Sequence, residues 1–283
     1  MKFKKYKSII NIDKDDITYL QKVLKDANME DTKFFVSEKI HGGNIGIYYN
    51  QNGNIKISTR NQFTEEAHIK DTVFKYDINN ILEYLYKYIK ENIDSDIKSI
   101  ILYCEIYGGS YPHPDIKKDK NSKRIQKGVY YSPTNELYPF DIFIPKGYNE
   151  DGKVIGYYLD GEDFINIMNS LNSDLPNYTY NLFTGNLKEC LDYNPGFVTN
   201  IPKLFNLPPI DDNISEGIVI KPLRGNEMIK KLNDKGINIE NMYIKKKYEK
   251  FNEKARKSKK DKTSYKQKYK KVIRQYEYIW FWI

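Results

Sequence analysis

The 283-residue chain contains only two cysteines, Cys104 and Cys190, and three histidines. So small a stock excludes a disulfide-stapled scaffold and a zinc site built from Cys and His. Free, buried thiols in a reducing compartment are expected instead. No apolar stretch reaches the ~20 residues that a membrane-spanning helix needs. Met1 to Asp16 carries no apolar signal core, and its lysines soon give way to acids, so it is a poor targeting peptide. A soluble, intracellular, cytoplasmic protein without membrane contact is expected. No internal repeat is visible.

Apolar material is ample: hydrophobic residues make up 40% of the chain, with 26 tyrosines and 13 phenylalanines. That supports a packed core of one large domain or two small ones and argues against wholesale disorder. Charge is unevenly spread. The net charge is +8, yet residues 244–283 hold fifteen Lys/Arg against four Asp/Glu, so the rest is close to neutral. A cationic end on a neutral body favours a polyanion. A solvated helix face is the plainer reading of any lysine run.

Hydrophobic periodicity gives the outline. A short helix is expected over residues 14–28. Phe34-Phe35-Val36 reads as a strand leading into Lys39, and Asn44 to Tyr49 as a strand leaving it. Gln51-Asn52-Gly53-Asn54 reads as a tight turn, with Ile55 to Arg60 returning. Ile78 to Glu91 is helical by spacing, and Ser99 to Tyr107 is an apolar strand. Residues 110–127 form a polar loop. Val129 to Ile144 alternates strand and turn, punctuated by Pro133 and Pro139. Glu162 to Leu171 is helical, and Ile218 to Ile220 and Met242 to Ile244 are strands. Residues 254–283 read as a basic, helical or unstructured tail after a domain of 1–253. The tail ends in the aromatic run Tyr278 to Ile283, which exposed would cost solubility. The total is an α+β fold dominated by antiparallel strands with helices outside.

Several residues suggest chemistry together that none suggests alone. Lys39 stands in Val36-Ser37-Glu38-Lys39-Ile40-His41-Gly42-Gly43-Asn44. An ordinary lysine, with a pKa near ~10.4, is a poor nucleophile until burial or neighbouring cations lower it. Gly42 and Gly43 permit a turn and a close ligand approach. Lys245 and Lys247 share one strand face and can hold phosphates. Glu216, at the start of an apolar strand, can bind a divalent metal or a sugar hydroxyl. Glu105 is a second internal acid, Arg60 can reach a phosphate, and Phe140 can stack on a base.

In order along the chain, these segments resemble the motifs of the RNA ligase 2 family of covalent nucleotidyltransferases. The first motif is Lys39-Ile40-His41-Gly42, preceded by Glu38. Cys104-Glu105-Ile106-Tyr107-Gly108 is similar to the third. Lys123 to Pro133, running on to Tyr138-Pro139-Phe140-Asp141-Ile142, looks like a stretch specific to these RNA ligases. Ser215 to Pro222 and Ile244 to Lys247, with Phe251 and Glu253, resemble the fourth and fifth.

The resemblance implies an α+β nucleotidyltransferase (ATP-grasp-like ligase) domain. It further implies an ATP-dependent ligase using Mg2+ or Mn2+ to seal 5′-phosphate and 3′-hydroxyl ends of RNA, in a duplex. Lys39 would become lysyl-AMP, with Lys245 and Lys247 on the α-phosphate and Glu216 serving the metal-dependent steps. Glu38, Ile40, His41, Asn44, Arg60, Glu105 and Phe140 would surround the nucleotide. Gly43 departs from the family's usual Thr or Ser. Many relatives also continue into a further domain, so end recognition is expected from the tail, the core surface or a protein partner. A minimal DNA ligase, a capping guanylyltransferase and an inactive nucleic-acid-binding module are the competing readings.

Overall fold

Two five-stranded sheets organise the protein, and alternation along their strands decides what faces the site. The computed structural model describes residues 1–12, 14–172, 175, 178–239 and 242–251. In chain order the elements are β1 (Ile10–Asn11), α1 (Lys14–Asp26), β2 (Phe34–Glu38), β3 (Gly43–Asn50), β4 (Ile55–Thr59), α2 (Ala67–Phe74) and α3 (Ile78–Asn92). There follow β5 (Ser99–Gly108), β6 (Asn135–Tyr148), β7 (Val154–Tyr158), α4 (Gly161–Ser170), β8 (Phe183–Gly185) and α5 (Leu187–Asp192). The series closes with α6 (Ile201–Leu204), β9 (Gly217–Pro222), α7 (Gly225–Asp234) and β10 (Ile244–Lys247). One sheet runs β1-β10-β9-β2-β8 and the other β4-β3-β5-β6-β7. Every pairing is antiparallel except β1 with β10.

Met1–Lys250 form one compact unit, and beyond it only Phe251 is described. The expected tail 254–283, its aromatic run and Glu253 lie outside the described residues. Among the described residues, no helix is long and apolar enough to cross a membrane. Cys104 and Cys190 are both buried and unpaired.

Because strand side chains point alternately to opposite faces, each sheet has a helix-covered face and a second face. In the first sheet, Phe34, Val36, Ile218, Ile220 and Ile244 pack with Leu20 and Leu24 of α1, Cys190 of α5 and Leu232 of α7. In the second, Ile45, Ile47, Leu102, Cys104, Ile142 and Ile144 pack with Val73 of α2, Leu82 and Leu85 of α3, and Phe164 of α4. The intervening residues on the strands fall on the other faces, where Tyr48, Tyr103 and Phe143 gather around Tyr6. Nearly all the site residues come from these second faces.

Most expected elements occur, with three corrections. Pro133 sits in a bend before the strand, as expected, but Pro139 does not interrupt it: β6 runs from Asn135 unbroken through Pro139 and Pro145 to Tyr148. Register shifts relative to β5 and β7 sit at these prolines, where a missing N–H is tolerated. The last strand is Ile244–Lys247 rather than Met242 to Ile244, because Lys245, Lys246 and Lys247 pair with Val219, Ile218 and Gly217. The short helices α2, α5, α6 and α7 were not expected from the sequence.

Candidate nucleotide-binding site

Alternation delivers Lys39, Val219, Lys221, Lys245 and Lys247 to the uncovered side of the first sheet. Asn44, Arg60, Glu105 and Tyr138 reach the corresponding side of the second. Between them is a cleft with a cavity volume of about 290 Å3. Its lining contains Glu38, Lys39, Ile40, Asn44, Arg60, Glu105, Phe140 and Lys245. These residues lie far apart in sequence, and the fold brings them together.

Phe140 owes its place to a bulge. Cys104 pairs with Pro139 and Tyr103 with Asp141, so Phe140 is the extra residue of β6. A bulge re-aims a side chain and locally twists the strand. The Phe140 ring is half-buried and meets Tyr6 edge-on, with centroids 5.1 Å apart. The residue also lines the cleft, and Lys221 Nζ lies over its ring, 5.5 Å from the centroid.

Glu216 joins the cleft by pairing with Lys39, and His41 and Lys247 join it by contacting Glu216. Lys39 Nζ donates to Glu216 Oε2 at 2.6 Å. His41 Nδ1 is 3.3 Å from the same oxygen, and Lys247 Nζ is 3.2 Å from Oε1. Strict alternation would turn Glu216 the other way, with Ile218 and Ile220. Gly217 breaks the pattern: its φ is +152°, and a Cβ there would meet Lys246 O at 2.2 Å. Glu216 can thus reach across to the lysines.

Burial alone would push the Glu216 carboxyl up, but the hydrogen bond from His41 and the charge and hydrogen bond of Lys39 outweigh it and hold it at about 2. Glu216 is therefore an anion throughout the physiological range. Glu105 behaves oppositely. Burial pushes it up to about 7, with the Lys39 charge opposing and the Glu216 charge reinforcing. Near neutral pH Glu105 can thus either accept or donate a hydrogen bond.

Glu38 lies on the helix-covered face parity of β2, with Phe34 and Val36. It is 2% exposed, and its Oε2 accepts from the Tyr180 hydroxyl at 3.3 Å. Burial pushes its carboxyl up to about 7, against hydrogen bonds from Thr199 and Tyr180. Glu38 nonetheless belongs to the cleft lining.

Sequence reasoning missed the N-terminal segment. Lys4, Tyr6 and Lys7 cross the uncovered face of the second sheet, held by Tyr48, Tyr103, Asp141 and Tyr158. Tyr6, Lys7 and Ile9 then line the cleft. Lys7 Nζ sits 4.2 Å from the Tyr158 ring centroid and 3.4 Å from that of Tyr243. Burial lowers its pKa to about 7, with Asp141 opposing and Lys221 reinforcing. Lys221 also lines the cleft and pairs with Asp141 at 3.2 Å. The retained motif Ser215 to Pro222 contained Lys221, but nothing local marked Lys7.

A family model described as RNA ligase matches residues 32–235. RNA-editing ligase 1, mitochondrial, of Trypanosoma brucei brucei is 28% identical over 261 residues, which cover 79% of this chain and 52% of that protein. RNA-editing ligase 2, mitochondrial, of the same organism is 25% identical over 247 residues, covering 78% and 55%. A solved structure of a Naegleria gruberi RNA ligase mutant with AMP and Mn aligns with a TM-score of 0.53 at 16% identity, covering 88% of this chain and 56% of that one. That last likeness is one of fold. The chain spans about half the length of the curated relatives it matches.

Proposed function

The chain belongs to the RNA ligase family, and on that premise we propose that it is an ATP-dependent ligase joining 5′-phosphate and 3′-hydroxyl ends of RNA, preferentially in a duplex. The observation that carries this reading is one cleft. It joins a lysine beside a glycine turn, two strand-mate lysines, two carboxylates of opposite proton affinity and a half-buried aromatic ring.

Lys39 Nζ attacks the α-phosphorus of ATP. A P–N bond forms, the bond to the β-phosphate oxygen breaks, pyrophosphate leaves with the electron pair, and the amine loses its proton to solvent. A 5′-phosphate oxygen of RNA then attacks the lysyl-AMP and restores the amine. Finally the 3′-hydroxyl attacks the activated 5′-phosphate and expels AMP. Beyond the Lys39 amine itself, the chain supplies position and charge to each transfer. Lys245 and Lys247 face the α-phosphate, and Arg60 meets the phosphates or ribose. Asn44 and His41 flank the phosphates. Phe140 stacks on the base, with Ile40 and the Glu38 backbone at its edge. Glu105 hydrogen-bonds the ribose. Attack requires Lys39 to leave Glu216, which Lys247 and His41 continue to hold.

A divalent Mg2+ or Mn2+ fits this donor set. Among the described residues, no three His, Cys, Asp or Glu side chains cluster as a cage. An ion held by one or two carboxylates, water and substrate phosphates suits such a site. Glu216 would hold it, and the ion would neutralise charge on the phosphates. Residues 1–253 form the adenylylation domain in this reading, and 254–283 are a basic tail that serves RNA or a protein partner. An intracellular, cytoplasmic setting accords with the two unpaired, buried cysteines.

Purified protein is incubated with radiolabelled ATP or GTP and metal, then denatured. Acid-labile covalent label from ATP alone, absent in Lys39→Ala, is expected. Sealing is then compared on nicked RNA duplex, single-stranded RNA, RNA–DNA hybrid and nicked DNA. No adduct would favour a binding module, a GTP adduct a capping enzyme, and sealing confined to nicked DNA a DNA ligase.

A further inference from the structure

Between β5 and β6 the chain leaves the sheet and returns through a loop that is fixed at several points. Lys123 N donates to Asn135 Oδ1 at 3.0 Å, and Asn135 Nδ2 donates back to Lys123 O at 2.8 Å. Ile125 N donates to Gly108 O at 3.2 Å. The Tyr111 hydroxyl donates to Pro208 O. At its far end the loop touches the site: Gln126 Nε2 donates to Gly42 O at 3.3 Å, in the turn that follows Lys39.

This anchored loop is strongly cationic. Lys117, Lys118, Lys120, Lys123, Arg124 and Lys127 are all exposed. None of the six forms an ion pair among the described residues. The one acid within 117–127, Asp119, is occupied by the loop itself. Its Oδ1 accepts from Asn121 N at 3.1 Å, and its Oδ2 accepts from the Ser122 hydroxyl. Some exposed lysines elsewhere have acidic partners, as in Lys70 with Glu65, Lys87 with Glu83 and Lys231 with Glu227, and others such as Lys22, Lys98 and Lys188 stand singly among the described residues, so the loop differs in the density of its cations. Six cations against one acid within eleven residues repel one another, and a row of phosphates relieves that repulsion while releasing its counterions.

We propose that the 117–127 loop grips the sugar–phosphate backbone of the RNA end presented to Lys39. The inference rests on the RNA-joining reading above and adds to it the surface that holds the substrate. Exposed lysines on phosphates position a strand without reading its sequence, so the grip is indifferent to base identity. Its closeness to the Gly42 turn means that a strand lying along the loop reaches the rim of the cleft.

The test uses the full chain and two charge-removing variants, Lys117→Gln/Lys118→Gln/Lys120→Gln and Lys123→Gln/Arg124→Gln/Lys127→Gln, and their combination. Circular dichroism and urea midpoints confirm folding, since all six side chains are exposed. Covalent labelling from ATP should stay within twofold of the parent. Binding to a 5′-phosphorylated nicked RNA duplex should lose salt dependence. Each lost phosphate contact removes roughly 0.7–0.9 from the log–log slope, so the six-fold variant should fall by about four to five when all six side chains touch phosphates. Sealing should drop at least tenfold at moderate salt. Unchanged slope and affinity would overturn the proposal. So would loss of ATP labelling in parallel with sealing, because the loop would then serve the nucleotide step. Loss of binding to phosphatidylserine vesicles with RNA binding intact would overturn it as well. If the parent forms no AMP adduct, the ligase reading fails while the salt slope still decides the role of the loop.

Discussion

Lys39 and Glu216 are joined across 2.6 Å, with Lys247 on the other carboxylate oxygen at 3.2 Å. The nucleophile therefore rests on an acid, rather than standing as the free amine that two neighbouring cations would suggest. Glu216 both fixes the lysine and offsets the positive charge of the cleft. Glu216→Gln keeps the shape but removes the anion. The rate of covalent AMP labelling should fall by about 100-fold or more, the scale on which misplacing a reacting group costs rate. Single-turnover labelling at saturating ATP measures it. An unchanged rate would show that Glu216 serves neither the amine nor a metal in this step.

The sequence made the chemical residues legible because strands alternate. Lys245 and Lys247 two apart, Glu105 in an apolar run and Lys39 before a glycine pair each follow from local pattern. What local pattern does not hold is register. Phe140 faces the cleft because Pro139 falls at a bulge, and a proline read alone suggests only a break. Glu216 faces Lys39 because Gly217 turns the chain at φ +152°. Lys7 reaches the cleft because hydroxyls on Tyr48, Tyr103 and Tyr158 hold the N-terminal segment. Those partners come from strands up to 151 residues away, so no window along the sequence could have shown them.

The two glycines after Lys39 differ in what they tolerate. A Cβ at Gly42 would lie 2.2 Å from Ile106 O and 2.8 Å from Glu105 Cγ. The first contact is backbone, so β5 itself would have to move. Gly42→Ala should cost about 2 kcal/mol or more and disturb Glu105. At Gly43 the nearest atoms would be 3.4 Å and 3.8 Å away, both side-chain methyl carbons. Gly43→Ser, which introduces the hydroxyl that the resembled family usually carries there, should stay within about 1 kcal/mol. Urea midpoints separate the two, and equal losses would contradict the assigned backbone approach.

If Phe140 stacks on the base, its truncation should weaken ATP selectively. Base–aromatic stacking contributes about 1–3 kcal/mol per base. Phe140→Ala should then raise the KM for ATP by about 5- to 150-fold, with kcat for adenylylation less affected. Phe140→Tyr should restore most of the affinity. A fall confined to kcat would place the ring away from the base.

The two carboxylates of the cleft give stability opposite dependences on pH. Burial holds the Glu105 carboxyl at about 7 in the folded protein, against an ordinary 4.5 in the unfolded chain. Between those values the native state holds a proton that the unfolded chain has lost, so stability falls as pH rises through this window. Glu38, also at about 7, adds to the same slope. Glu216, held at about 2, acts below it: its contribution is complete above 4.5 and is lost as pH falls toward 2. Lys7, lowered from 10.5 to about 7, makes stability rise again over that upper window, because there the unfolded chain carries the extra proton. The protein without nucleotide should therefore lose stability from pH 5 to pH 7. Glu105→Gln should flatten that loss by up to about 2 kcal/mol, somewhat less than the value of two pKa units because titration is incomplete at both ends of the window. Urea titrations of both proteins at half-unit pH steps provide the comparison. Parallel curves between pH 5 and pH 7 would mean that Glu105 is ionised throughout and cannot donate to a ribose hydroxyl.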